Sequence, residues 1–174
     1  MLDDGFNNEI GVDLETGFVY GGNRFICGTW MDKLGSSVEA NNKGIPATPR
    51  DGSAVELIGL SRCVLDWLIN ANEKLKYKND GVLIKSNQIK FTWIDWAAKI
   101  DANFEKYFWL DESSNESKHI NKRNIYKDTL NSSVPWTDYQ LRPNFLIALT
   151  LAPQMINKEH AKKAIEMCTK HLVV

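Results

Sequence analysis

Trp30 and Asp32 stand one residue apart in the run Gly28-Thr29-Trp30-Met31-Asp32, which sets a flat indole beside a carboxyl group. Arg50 and Asp51 follow in the run Pro46-Ala47-Thr48-Pro49-Arg50-Asp51-Gly52-Ser53-Ala54-Val55-Glu56. Indole, carboxyl and guanidinium together suit recognition of a polyhydroxylated ring. Such rings offer apolar C–H faces that stack on indole, and hydroxyl rims that take bidentate bonds from carboxylates and guanidinium. Cleaving a glycosidic bond further requires one carboxylic acid to protonate the leaving oxygen and one carboxylate to activate water or attack the sugar. Beside Trp30 and Met31 the Asp32 carboxyl is expected to be partly desolvated, which favours the protonated form a general acid needs. On spacing alone the plainer reading is that Asp32 bonds loop amides or opens a turn before Lys33-Leu34-Gly35.

Arg50 and Asp51 read equally as ligands for sugar hydroxyls and as a helix-start ion pair complementing the helix dipole. Ser53-Ala54-Val55-Glu56 has the form of a capping box, which makes Glu56 a structural cap rather than a catalytic base. A second polar and aromatic cluster occupies Tyr126-Lys127-Asp128 and Trp136-Thr137-Asp138-Tyr139-Gln140-Leu141-Arg142-Pro143-Asn144. It reads either as more of the same site or as a polar network holding a loop. Trp30 and Trp136 are candidate stacking platforms. Trp67, Trp93, Trp96 and Phe104 follow helical spacing and are assigned to the core.

The elements that must carry these residues are mostly helices. Residues 10–20 alternate apolar and polar around Glu15-Thr16-Gly17, as a short β-hairpin does. Residues 21–51 hold five glycines and two prolines without a sustained period, a loop length that is usually functional. From Val55 to Leu75 apolar residues recur with a helical period on a broad face. Asn79-Asp80-Gly81 marks a turn, with Val82-Leu83-Ile84 against Ile89-Lys90-Phe91 as a small hairpin. Thr92 caps a second helix with apolar positions Trp93, Trp96, Ala97, Ile100, Phe104 and Phe108. A third helix begins near Arg142-Pro143-Asn144, with the proline in its first turn, and ends about Ala152-Pro153. A fourth runs from about Lys158 to Leu172 behind Asn157. No βαβ alternation is present, which excludes a doubly wound sheet or a TIM barrel.

Length and composition narrow the field. The 174 residues suffice for one ordinary domain. Charge is balanced, with 21 Lys and Arg against 22 Asp and Glu, which argues against nucleic acid or an anionic membrane as the main partner. The N-terminus lacks the basic and apolar regions of a signal peptide, and the longest apolar run, residues 145–152, is too short to span a bilayer. Cys27, Cys63 and Cys168 have no metal-ligand spacing and read as small apolar residues of a reducing cytosol. His119, His160 and His171 form no constellation. A cytoplasmic protein without metal or cofactor is expected.

Taken together, residues 11–13, 15–25, 27–33, 44–56, 125–128 and 138–145 resemble, in order, the C-terminal amylo-α-1,6-glucosidase domain of eukaryotic glycogen debranching enzymes. The shorter elements Thr29-Trp30-Met31-Asp32, Thr48-Pro49-Arg50 and Arg142-Pro143-Asn144 are similar also to bacterial relatives. The resemblance implies a mainly α fold, a segment of an (α/α)6 toroid with a short β-hairpin near the N-terminus. It implies an inverting glycoside hydrolase that removes the α-1,6-linked glucose left at a glycogen branch point, within a parent polypeptide that also carries a 4-α-glucanotransferase domain. It places the general acid on Asp32 and the glucose pocket on Trp30, Arg50, Asp51, Asp138 and Arg142. The family's general base is a Glu beyond the last matching motif. Residues 1–174 are therefore expected to be a partial glucosidase domain, incomplete at both ends and inactive alone, whose partners are branched α-glucan and the remainder of the parent chain. The alternative, from a different class, is a non-catalytic glycan-binding helical module that keeps the pocket but not the chemistry.

Overall fold

Helix α1 runs from Val55 to Leu75 and is the element the others gather round. A computed structural model describes residues 9–25, 29–31, 33–85 and 88–173. Helices α2 (Trp93–Phe108) and α3 (Phe145–Leu151) both pack on α1. Helix α4 (Lys158–Leu172) buries Ala161, Ala164 and Cys168, the small residues of one face. These four are the α-helices of the described residues, so the chain is mainly helical. Among those residues no helix is long and apolar enough to cross a membrane.

The caps follow the sequence closely at two helices. Thr92 accepts a hydrogen bond from the Asp95 amide at the start of α2, and Asn157 accepts from the Glu159 and His160 amides at the start of α4. Each satisfies amides that have no partner within the helix. Helix α1 starts differently. Its N-cap is Ala54, with no side-chain cap, so Ser53 and Glu56 form no capping box. Glu56 turns inward to a buried guanidinium instead, a charged partner that makes a stronger bond than a backbone amide would. Pro143 lies in the turn before α3 rather than in its first helical turn, and Asn144 is the N-cap.

Among the described residues, four two-stranded antiparallel pairs accompany the helices. The N-terminal hairpin pairs β1 (Gly11–Val12) with β2 (Val19–Tyr20) as expected, and a second hairpin pairs β4 (Gly81–Leu83) with β5 (Lys90–Thr92), shifted by one residue so that Gly81 joins the strand instead of the turn before it. The other two pairs are long-range. Strand β3 (Ser53–Ala54) meets β8 (Thr129–Leu130), and β6 (Trp109–Leu110) meets β7 (Ile125–Tyr126). Each joins partners far apart in the chain, with no turn between them to mark a hairpin.

The core is aromatic. Phe18, Phe104, Phe108, Tyr126 and Phe145 are buried in contact with Ile58, Ile100 and Ala148. Phe104 stacks on Phe108 at 5.0 Å between centroids, and Tyr126 stacks on Phe145 at 5.5 Å. Trp93 and Trp96 pack on this core from its margin, and the Trp96 indole donates to the Gly17 carbonyl at 2.7 Å, tying the N-terminal hairpin to α2. Trp67 departs from the expected core: it is 65% exposed on α1, with Leu60, Val64 and Leu75 also facing out. The apolar periodicity of α1 wraps round more of the helix than α2 and α3 cover. Of the cysteines, Cys168 is buried and Cys63 partly exposed, while Cys27 lies outside the described residues.

Candidate functional site

The N-terminal end of α1 is where the chemistry-bearing runs converge. Arg50 enters it from the long loop and Glu56 from the first turn of α1. Asp128 enters just ahead of β8, and Asn144 and Arg142 just ahead of α3. The β3–β8 pair brings residues 53–54 against 129–130, and so places Arg50 beside Asp128 although 78 positions separate them. Gly52 makes the approach possible. It has φ +80°, and a Cβ there would lie 2.5 Å from the Leu130 carbonyl oxygen, so a side chain would be both strained and blocked.

Arg50 is 1% exposed, and all five of its N–H donors are engaged. Nε donates to Asp128 Oδ2 at 2.6 Å. Nη1 donates to Glu56 Oε1 at 2.5 Å and to Thr29 Oγ1 at 2.8 Å. Nη2 donates to Glu56 Oε2 at 2.6 Å and to Asp128 Oδ1 and its carbonyl oxygen, both at 3.1 Å. Burial works to lower the Arg50 pKa, but Glu56 and Asp128 outweigh it and hold the guanidinium above its ordinary value. Burial also pushes the Asp128 carboxyl up, against the pull of Arg50, Asn144 and Arg142. Both Asp128 oxygens accept charged or amide donors, the pattern of a carboxylate. Two carboxylates facing two guanidinium groups leave the cluster neutral, as a water-poor interior demands.

Asp51 and Asp138 are buried by the same folding. Asp51 accepts from Ser132 Oγ at 2.6 Å and from the Ser133 amide at 3.0 Å. Asp138 accepts from Thr129 Oγ1 at 2.5 Å and from the Asn131 and Ser132 amides at 3.0 and 3.2 Å. Burial raises the Asp138 pKa, with those three donors opposing it. Asp51 thus ties the 129–138 loop to the loop before α1, and Asp138 braces that loop from within.

Trp30, Arg50, Asp51, Asp138 and Arg142 therefore come together, as the sequence suggests, but with different orientations. Trp30 is 63% exposed and presents its indole outward. Arg142 is partly exposed, donating to Thr48 Oγ1 at 2.9 Å with its Nε 3.4 Å from Asp128 Oδ2. Arg50, Asp51 and Asp138 face inward and make their hydrogen bonds within the protein. The reason is electrostatic: a buried charge is costly unless paired, and each finds its partners across the loop. Asp32 lies outside the described residues. Trp136, 38% exposed in a short 3-10 turn at Pro135–Thr137, stands on the same loop.

Glu56, Asp128 and Asn144 are members of this cluster that sequence reasoning left without a role there. The signal for Asp128 was present in Tyr126-Lys127-Asp128, but its partner could not be named without the long-range strand pair. Among the described residues no group of three or more His, Cys, Asp or Glu side chains is arranged to hold a metal ion.

Comparison with known proteins gives this geometry a context. Residues 2–174 match the family described as amylo-alpha-1,6-glucosidase. The chain is 42% identical over 181 residues to the glycogen debranching enzyme of Saccharomyces cerevisiae, a match that covers 99% of this chain. It spans 12% of the length of that relative.

Proposed function

The chain belongs to the amylo-alpha-1,6-glucosidase family, and on that premise we propose that it supplies one side of a debranching site for glycogen. In this reading it acts in the cytoplasm as a segment of an (α/α)6 glucosidase domain, within a larger polypeptide that also carries 4-α-glucanotransferase activity. The observation that carries the proposal is the convergence of three distant runs, 29–31, 48–51 and 128–144, on one buried ion cluster, with an exposed indole in the first of them. A cluster so costly to bury is expected where loop positions must be fixed for chemistry.

Trp30 stacks on the apolar face of the terminal glucose, and Arg142, with solvent on one side, reaches its hydroxyls. Arg50, Asp51 and Asp138 shape the pocket wall from behind. Asp32, next in sequence to Met31, donates a proton to the α-1,6 glycosidic oxygen as that bond breaks. Water attacks the anomeric carbon from the opposite face, activated by a carboxylate beyond residues 1–174, which gives inversion. The test is Asp32→Asn in the debranching polypeptide carrying this segment. Glucose release from a branched limit dextrin should fall about 10²- to 10⁴-fold while glycogen affinity is kept, because proton transfer alone is lost. Unchanged release removes Asp32 from the role.

A second reading has its own observation in favour. Arg50, Glu56, Asp51, Asp128 and Asp138 are all buried and internally bonded, which leaves the exposed Trp30 as the most solvent-facing of the site's described residues. A glycan-binding module without hydrolysis needs no more. It predicts calorimetric binding of maltooligosaccharides that depends on Trp30, with no glucose released in any context.

A further inference from the structure

Thr29, Trp30 and Met31 form a short turn held at both ends by side chains from far along the chain. At one end Thr29 Oγ1 accepts from Arg50 Nη1 at 2.8 Å. At the other the Met31 sulfur accepts from Asn144 Nδ2 at 3.2 Å and from Arg142 Nη1 at 3.6 Å. Within the turn the Met31 amide donates to Thr29 Oγ1 at 3.3 Å. Both ends trace back to one carboxylate. Asp128 Oδ1 accepts from Asn144 Nδ2 at 2.7 Å and from Arg50 Nη2, while Oδ2 accepts from Arg50 Nε.

Asn144 is the informative member. It is 1% exposed at the head of α3, yet it makes no side-chain cap, and its Oδ1 has no hydrogen-bond partner. A buried amide that leaves its oxygen unsatisfied is retained against a cost. What its amide nitrogen gains is the bridge between Asp128 and the Met31 sulfur. A helix-cap role would have used the oxygen, and a packing role would be filled better by leucine.

We propose that Asp128 and Asn144 are positioning residues that clamp the 29–31 turn so that the Trp30 indole stands out for stacking. Asp128 orients Arg50 onto Thr29 and Asn144 onto Met31. Trp30, between the two anchored residues, has its backbone fixed while its ring stays in solvent. The value of this clamp for glucan recognition rests on the stacking role given to Trp30 above, but the clamp itself does not.

The test separates the two. In Asn144→Leu, close in size and leaving the α3 backbone bonds intact, amide hydrogen exchange across residues 29–31 should quicken roughly fivefold, the loss of the neutral hydrogen bond from Nδ2 to the Met31 sulfur. Peroxide oxidation of Met31 should quicken with it, while exchange in α1 and α2 stays as in the parent. Met31→Leu, which removes only the sulfur acceptor and cannot unfold the ion cluster, should speed exchange at 29–31 in the same direction. Unchanged exchange in both variants overturns the clamp. Maltooligosaccharide affinity is measured alongside, with Trp30→Ala as reference. Faster exchange with affinity lowered in Asn144→Leu and Trp30→Ala upholds the whole inference. Faster exchange with Trp30→Ala binding as tightly as the parent keeps the clamp and overturns the stacking role instead.

Discussion

At the scale of single residues, Arg50 sets the terms for everything near it. A guanidinium with five donors in a rigid fork can meet Glu56 bidentately, Asp128 through Nε and Nη2, and Thr29 at once. A lysine ammonium, with three donors on a flexible stem, can meet only part of this set. Arg50→Lys should therefore cost about 3–5 kcal/mol, the range for breaking a buried pair and stranding its partners, measured as a fall in the urea midpoint at unchanged slope. A loss under about 1 kcal/mol would mean that solvent reaches the cluster. The pair Arg50-Asp51 reads in the sequence equally as sugar ligands and as a helix-start ion pair. Its direction was not legible. Whether a guanidinium turns to solvent or inward depends on Asp128 and Asn144, and Asp51 likewise depends on Ser132, 81 positions away. No local pattern encodes partners at that distance.

At the scale of elements, two contacts decide how the helices meet. The first is α1 against α3 at Gly59, where a Cβ would come within 2.4 Å of the Ala148 Cα. Backbone cannot give way as a flexible side chain can, so Gly59→Ala should separate the helices. The expected cost is about 1–3 kcal/mol of overpacking, less the gain in helix propensity. A rise in melting temperature would show that α3 is free to shift. The second contact is Glu105 on α2, which accepts from Tyr126 Oη at 2.6 Å and from the Asn157 amide at 2.6 Å and meets His160 Nδ1 at 2.7 Å. One carboxylate thus joins α2, β7 and the start of α4. Burial first, and then the Glu105 hydrogen bond and charge, hold the Tyr126 phenol above its ordinary 10.0. A raised value means the folded state keeps this proton after the unfolded chain has lost it. The stabilisation is therefore whole below about pH 10 and declines as pH rises beyond it. Denaturant midpoints measured through the alkaline range should fall more steeply in the parent than in Tyr126→Phe, and equal slopes would deny the coupling. Helices α2 and α4 were readable from periodicity and from Thr92 and Asn157, since a cap is local chemistry. The β3–β8 and β6–β7 pairs were not, because their partners lie far apart in the chain with no turn between them to mark a hairpin, and they form only when the core brings them together.

At the scale of the whole molecule, α1 shows apolar residues on a side that nothing described here covers. Leu60, Val64, Trp67 and Leu75 are 41%, 54%, 65% and 74% exposed. A cavity of about 510 Å³ opens along this face, lined by Leu57, Leu60, Val64 and Leu68 of α1 with Tyr20 and Trp96 opposite. The sequence assigned Trp67 to a core by its spacing, and spacing is silent on which molecule supplies the other wall. An exposed apolar stripe of this extent is expected to find a partner surface. In the purified chain, the surface at hand is another copy. Sedimentation velocity should thus show association that grows with concentration and that weakens when Val64→Lys and Trp67→Glu are combined. Circular dichroism should meanwhile keep its helical content, because neither side chain contributes to the buried side of α1. The same double change should leave the exchange rates at residues 29–31 untouched, since the Arg50–Asp128 cluster is anchored through Glu56 and Asn144 rather than through the outer stripe. A sharp, concentration-independent monomer boundary in the parent would show that water alone suffices to cover this face.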